Sequence, residues 1–324
     1  METKEIGRLI ANGYEGFQEV RVSSMNRMRD IIRRKIEGLE AGKVEEKKNN
    51  KDYSKQYKDA ELFEKLEKVN EQKKISNEEY AYLIDFWNAV VDTKKVENQY
   101  KKLMLQYIKT ELLYNEYLSK IKGIGEVIAS KLIAKLGYCE RFDTVSRLWS
   151  YCGYGVGENG TAIKRKKGEQ LKFNLRLRSF MFVVSDCLMK TNKGYYRKLY
   201  DVEKEKQLNR EYPVGELKSK FNRSITKPTT KESKPKKVYK DKGYKETDTK
   251  LSKGHAHKRA LRKVGKQFLS HYWEASRTLI GLPIKKTYVE GVLLHTHIVD
   301  FKEMLLLEDS LKVETESEGS ETEA

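Results

Sequence analysis

Gly123 and Gly125, in the run Ile121-Lys122-Gly123-Ile124-Gly125, are residues whose type and spacing fit one chemical task, the seating of an anion. Glycine removes the side chain that would keep a backbone from approaching a phosphate. The residues after Gly125 read as a helix start, where unpaired N–H groups and the helix dipole favour negative charge. Val127, Ile128, Leu132 and Leu136 recur at helical spacing, Ala129 and Ala134 permit close packing, and Gly137 suits the C-terminal stop. The pattern is that of a helix-hairpin-helix, and it points Lys122, Gly123, Ile124 and Gly125 at a phosphate backbone. An ordinary helix corner with no ligand carries the same Gly-Ile-Gly, so the surroundings decide between the two.

Those surroundings are cationic. Lys164, Arg165, Lys166 and Lys167 follow a Gly-rich stretch, and Lys172 and Arg176 lie one helical turn apart beyond them. Lys258, Arg259, Arg262, Lys263 and Lys266 make a second cluster. Few acids are interleaved at either place, which favours phosphate contact over a salt-bridged solvated face, and arginine adds a bidentate grip.

Other chemistries fit less well. Gly155-Val156-Gly157-Glu158-Asn159-Gly160 matches the dinucleotide pattern G-x-G-x-x-G, but a helix precedes it and a strand-like basic run follows, the reverse of what that motif requires. The five histidines, His255, His257, His271, His295 and His297, all lie late and include two His-x-His pairs. No cysteine or evident carboxylate accompanies them, so packing or phosphate hydrogen bonding is expected there and no metal site. Cys139, Cys152 and Cys187 are scattered, odd in number and read as free thiols. Carboxylates are plentiful, yet none forms the spaced set of a two-metal nuclease on predicted strands.

The charge balance agrees with a polyanionic partner. The 324 residues hold 66 Lys and Arg against 48 Asp and Glu, a net +18. Ser310 to Ala324 carries five Glu and one Lys, so the remainder stands at +22. No apolar run is long enough to cross a membrane and no secretory signal is present, so a cytoplasmic, nucleoid-associated protein is expected. With 38 % hydrophobic and 35 % charged residues, part of the chain is expected to lie outside a compact core.

Helices must position these groups, since strand patterns are scarce. The expected fold is mainly α: a long helical hairpin or coiled coil, then a helix-hairpin-helix-containing domain with a Gly-rich basic turn. Residues 1–75 read as a charged helical region with weak core signals. Ser76 and Glu79 form a capping box, stapled by Ile75 and Tyr80, and open a long helix within 76–120 that needs a partner along its length. Residues 121–210 form the hairpin-containing domain. Residues 211–254 form a flexible basic insertion: between 218 and 253 there are 13 Lys or Arg against four acids. Residues 255–300 complete the domain with a C-terminal helix, and 301–324 form an acidic tail.

From Ile121 to Lys190 the chain resembles the C-terminal domain of insertion-sequence transposases of the 110/116/902 group. The resemblance rests on the order of the hairpin at Ile121–Gly125, the helix from Ser130 to Gly137 (here Ser-x-x-x-Ala-x-x-Gly), Arg141-Phe142, Leu148 to Gly153, the Gly-rich turn, Lys164 to Gly168, and the Leu175–Arg178 helix. His257 to Tyr288, with Ser270-His271-Tyr272-Trp273-Glu274 and Gly281-Leu282-Pro283, is similar to archaeal members. The resemblance implies a recombinase that moves an element through paired DNA ends, with an N-terminal RuvC-like domain carrying four acidic metal ligands, a coiled-coil connection and a nucleophilic Ser just before a Gly. Two features depart from it. The N-terminal region is too short and strand-poor for a RuvC-like domain, and the Ser-Gly position reads Asn159-Gly160, leaving Thr161 as a displaced substitute.

The expected function is that of a DNA-binding protein related to these transposases, gripping the phosphate backbone in transposition or recombination. A minimal active recombinase with Thr161 as nucleophile is one alternative, and a structured-RNA-binding or scaffold protein another. Binding needs no cofactor, and a divalent metal enters only with catalysis. The expected partners are DNA, RNA in the alternative reading, and a second copy of the chain through the long helix, with no membrane.

Overall fold

In the computed structural model the described residues are 3–38, 58–157, 162–163, 168–213, 249–285 and 299–320. The protein is mainly α, with no strand among the described residues and an isolated antiparallel bridge between Val156 and Ala162. The chain divides into two compact units, Met1–Lys109 and Thr110–Ala324.

In the first unit α1 (Thr3–Glu37) and α3 (Asn77–Ile108) run antiparallel, with α2 (Leu62–Glu71) beside them. The capping box at Ser76 forms: the Glu79 N–H donates to Ser76 Oγ at 3.1 Å, and the Ser76 N–H to Glu79 Oε2 at 3.0 Å. Two glycines of α1 let it approach α3, because a Cβ at Gly7 would strike the Tyr107 ring and one at Gly13 the Tyr100 ring. The core is formed by Met25, Met28 and Ile32 of α1, Leu62, Leu66 and Val69 of α2, and Ile75 and Val90. The long helix thus finds its partner within the same chain, in a segment where a weak core was expected. The signal in α1 is a narrow apolar stripe, diluted by the charged residues of its other faces.

The long helix ends at Ile108, short of the 76–120 span expected. Glu111 turns to extended backbone and caps α4 (Leu112–Glu116), which brings Leu113, Tyr117 and Leu118 into the core of the second unit. There follow α5 (Glu126–Leu136), α6 (Val145–Tyr151), α7 (Leu175–Lys190), α8 (Tyr195–Asn209), α9 (Lys253–Leu279) and α10 (Phe301–Ser320).

Helix α9 is the spine of this unit. It buries Ala260, Val264, Phe268, Leu269, Tyr272 and Trp273 among others, and its polar groups bind loop carbonyls. The Trp273 indole N–H donates to the Phe142 carbonyl at 2.8 Å, the Tyr272 hydroxyl to that of Gly137 at 2.9 Å, and Arg277 to those of Cys139 and Phe142. His271 is part of this core. Its Nε2–H donates to the Val299 carbonyl at 2.9 Å, so Nδ1 accepts from the Tyr196 hydroxyl at 2.8 Å. Burial holds His271 neutral, with its pKa pushed down to about 4. His257 likewise meets the Tyr200 hydroxyl, at 2.6 Å; His295 and His297 lie outside the described residues. Among the described residues no group of three or more His, Cys, Asp or Glu is placed to hold a metal, and no helix is long and apolar enough to cross a membrane.

Candidate nucleic-acid interface

The hairpin is a tight corner between the turn Leu118–Lys120 and α5. The Ile124 N–H closes onto the Ile121 carbonyl at 3.2 Å, Gly123 takes φ +93°, and Gly125 caps α5. The space that Gly123 leaves is filled by the protein itself: a Cβ there would come within 2.9 Å of the Thr191 methyl, 3.0 Å of the Cys187 carbonyl oxygen and 3.2 Å of the Leu188 Cα. The glycine is needed for close backbone approach, as expected, but what approaches is the end of α7. Ile124 is buried, and the Lys122 N–H donates to a carboxylate oxygen of Glu308 at 3.1 Å. Gly125 alone of the four candidates is exposed, with open space where a Cβ would stand and no side-chain cap on the α5 amides.

The Gly-rich turn after α6 gathers cations from α7 and α9. Thr144 caps α6, and Gly153 leaves it at φ +74°. Arg262 then grips the turn: its guanidinium donates to the carbonyls of Gly153 (3.4 Å), Tyr154 (2.7 Å) and Gly155 (2.9 Å) and stacks 5.1 Å from the Tyr154 ring. Arg178 donates to the Ile163 carbonyl at 3.0 Å and lies over Phe173. One helical turn beyond Arg262, Lys266 sets its ammonium 4.0 Å from the centre of the Trp149 ring, and the Trp149 indole donates to the Lys266 carbonyl. Lys172, Arg176 and Lys263 are exposed around this core.

Among the described residues none of these six cations forms a salt bridge. Burial, then the charges of Arg262 and Lys263, push Lys266 down to about 8. Burial also lowers Arg262, and the Arg178 charge adds to the effect. The charges that help lower Arg262 and Lys266, with no carboxylate in salt-bridge reach among the described residues, leave a local positive potential that an external anion would relieve.

The other candidates fall elsewhere. Lys258 is exposed on the first turns of α9. Arg259 donates to the Tyr212 hydroxyl, at the foot of the basic insertion, where the Tyr212 N–H also meets the Thr249 carbonyl. Asn159, Gly160, Thr161 and Lys164 to Lys167 lie outside the described residues. The sequence already grouped Lys263 and Lys266 in one cluster with Arg262. What it could not show is the long-range meeting with Trp149 and Arg178. The sequence reading also passed over Glu308, 186 residues from Lys122, although the spacing of Met304, Glu308 and Leu311 marks one helix face with a carboxylate at its centre.

Residues 115–201 match the family model described as Transposase IS116/IS110/IS902 family. The span begins in α4, crosses the hairpin, α5, α6, the Gly-rich turn and α7, and ends in α8. No curated protein and no solved structure matches the chain. The match supports a transposase-related role in transposition, for which DNA is the partner the family suggests.

Proposed function

From a transposase-family domain in the second unit, we propose that this chain binds DNA through its phosphate backbone during transposition or recombination. The observation that carries the reading is the cluster of Arg178, Arg262, Lys263 and Lys266 at the Gly-rich turn, which meets no carboxylate in a salt bridge among the described residues and is rimmed by exposed Lys172 and Arg176. Arg262 and Arg178 shape the turn, while the exposed cations reach phosphates. The open amides of α5 beside Gly125 add a weaker contact. Such contacts fix a duplex in register and carry little base information, so sequence preference is modest. Binding needs no cofactor; a divalent metal enters only if strands are also cut.

Affinity for a mixed-sequence duplex, measured against salt, tests this. On a log–log plot the affinity falls steeply, and Lys172→Ala and Arg176→Ala each reduce the slope by about 0.9. A flat plot for the unaltered protein, or tighter binding to a folded RNA than to duplex, removes the reading. The antiparallel α1–α3 pair leaves Leu9, Val20, Tyr82 and Leu103 exposed, and we assign self-association of the chain to this surface.

A further inference from the structure

We infer that the backbone amides of Lys122 and Tyr195 form a cradle for a nucleic-acid phosphate, and that α10 keeps it closed with the carboxylate of Glu308. The inference rests on the DNA-binding reading above and adds a second, masked contact to it.

The cradle joins two elements distant in sequence. The Lys122 N–H of the hairpin donates to Glu308 Oε1 at 3.1 Å, and the Tyr195 N–H, at the start of the 15-residue helix α8, donates to Oε2 at 2.7 Å. Gly194 caps α8 at φ +150°, and a Cβ on it would stand 3.1 and 3.2 Å from the same two oxygens. Two convergent N–H donors, a helix dipole and a missing side chain make an anion seat of main-chain groups. An anion already fills it: Glu308 is 1 % exposed and, among the described residues, has no cation within salt-bridge distance.

That occupant is an odd choice for packing alone. α10 docks through buried Met304 and Leu311, with Phe301 edge-on to Tyr117 and the Phe301 N–H on Glu274. A buried charge at the middle of such a stripe is costly unless something compensates it, and an apolar residue would dock the helix more cheaply. The carboxylate presents two oxygens to two donors, as the non-bridging oxygens of a phosphodiester do. The segment that delivers it continues into the acidic stretch Ser310–Ala324, net −4 beside +22 for the rest of the chain. α10 therefore carries the charge of the ligand it excludes, and nucleic acid and α10 compete for one seat.

The test uses the full chain, a mixed-sequence DNA duplex and amide hydrogen exchange. Duplex is expected to speed exchange across residues 301–311 of the unaltered protein. Glu308→Gln speeds it without DNA and tightens duplex binding roughly fivefold or more at matched salt. Glu303→Gln, an equal loss of charge at an exposed position of α10, leaves the affinity within about twofold. If duplex binds while 301–311 stays protected, the competition is overturned and the cationic cluster stands. Glu308→Gln binding no tighter than the unaltered protein, or Glu303→Gln matching its gain, overturns it equally. If neither the unaltered protein nor Glu308→Gln binds duplex, both readings fall.

Discussion

The α1–α3 hairpin and the Gly-rich turn are both dense in cations, and they use them in opposite ways. In the first unit the charges are matched. Arg21 and Lys94 hold the buried Glu97, Arg29 meets Asp59, Lys35 meets Glu79 at 2.9 Å, and Arg33 and Arg34 share Asp30. At the turn Arg178 and Arg262 donate to carbonyls, Lys266 lies on an indole, and among the described residues no carboxylate answers them. A net charge of +18 describes both regions equally. Pairing separates them: a neutralised surface supports a fold, and an unanswered cluster attracts a polyanion.

Replacing one arginine from each side should break the comparison open. Arg262→Met leaves three turn carbonyls without their donor. We expect a loss of about 4 kcal/mol in stability, together with duplex binding, since each orphaned buried group costs on the order of 1–3 kcal/mol. Arg262→Lys does not rescue, because one ammonium cannot span three carbonyls as a planar guanidinium does. Arg29→Met, losing a pair with the half-exposed Asp59, costs at most about 1 kcal/mol and leaves duplex binding intact. Urea unfolding and a binding isotherm on each variant measure both effects. Equal losses at the two positions would erase the distinction.

Acid should separate the two units by window. His271 has a folded pKa of about 4 against an ordinary 6.5, so the unfolded chain takes up the proton first as pH falls. Its contribution is therefore complete above pH 6.5 and is lost progressively down to about 4, a total on the order of 3 kcal/mol. In the first unit burial raises the Glu97 carboxyl, but the Arg21 hydrogen bond and the Arg21 and Lys94 charges together bring it below 4.5. That contribution holds at pH 5 and fades only below the ordinary carboxylate range. Unfolding followed between pH 7 and 5 should thus weaken the second unit alone, and His271→Phe should remove most of the slope. A slope that His271→Phe leaves in place would assign it to another group.

Local chemistry made part of this legible in advance. The capping box at Ser76, the stop at Gly137 and the mainly α class all follow from short-range rules that the tertiary structure respects. Of the transposase resemblance, the block Ile121 to Lys190 lies inside the matched span and the block His257 to Tyr288 lies outside it. The rest depends on partners far away in sequence. α1 reads as polar because only a thin stripe of it is buried. The 76–120 helix ends early because Leu113, Tyr117 and Leu118 are drawn into a core that no local pattern announces. Gly123 signals close approach but not to what: an external phosphate and the end of α7 need the same missing side chain. Glu308 sits in a stretch whose composition says only that it is acidic.

The smallest expected effect is a sharp test of the turn. Lys266 is pushed down to about 8, first by burial and then by Arg262 and Lys263, and a phosphate nearby would raise it again. Free protein therefore loses this proton near pH 8 while the complex keeps it, so duplex affinity declines as pH rises from 7 to 9, by no more than about tenfold per unit. Lys266→Arg stays charged throughout and should flatten the profile while still stacking on Trp149. Lys35→Arg, whose partner Glu79 already answers its charge, should leave the decline as it was. A profile unchanged by Lys266→Arg would place the titrating group elsewhere and leave Lys266 out of the phosphate contact.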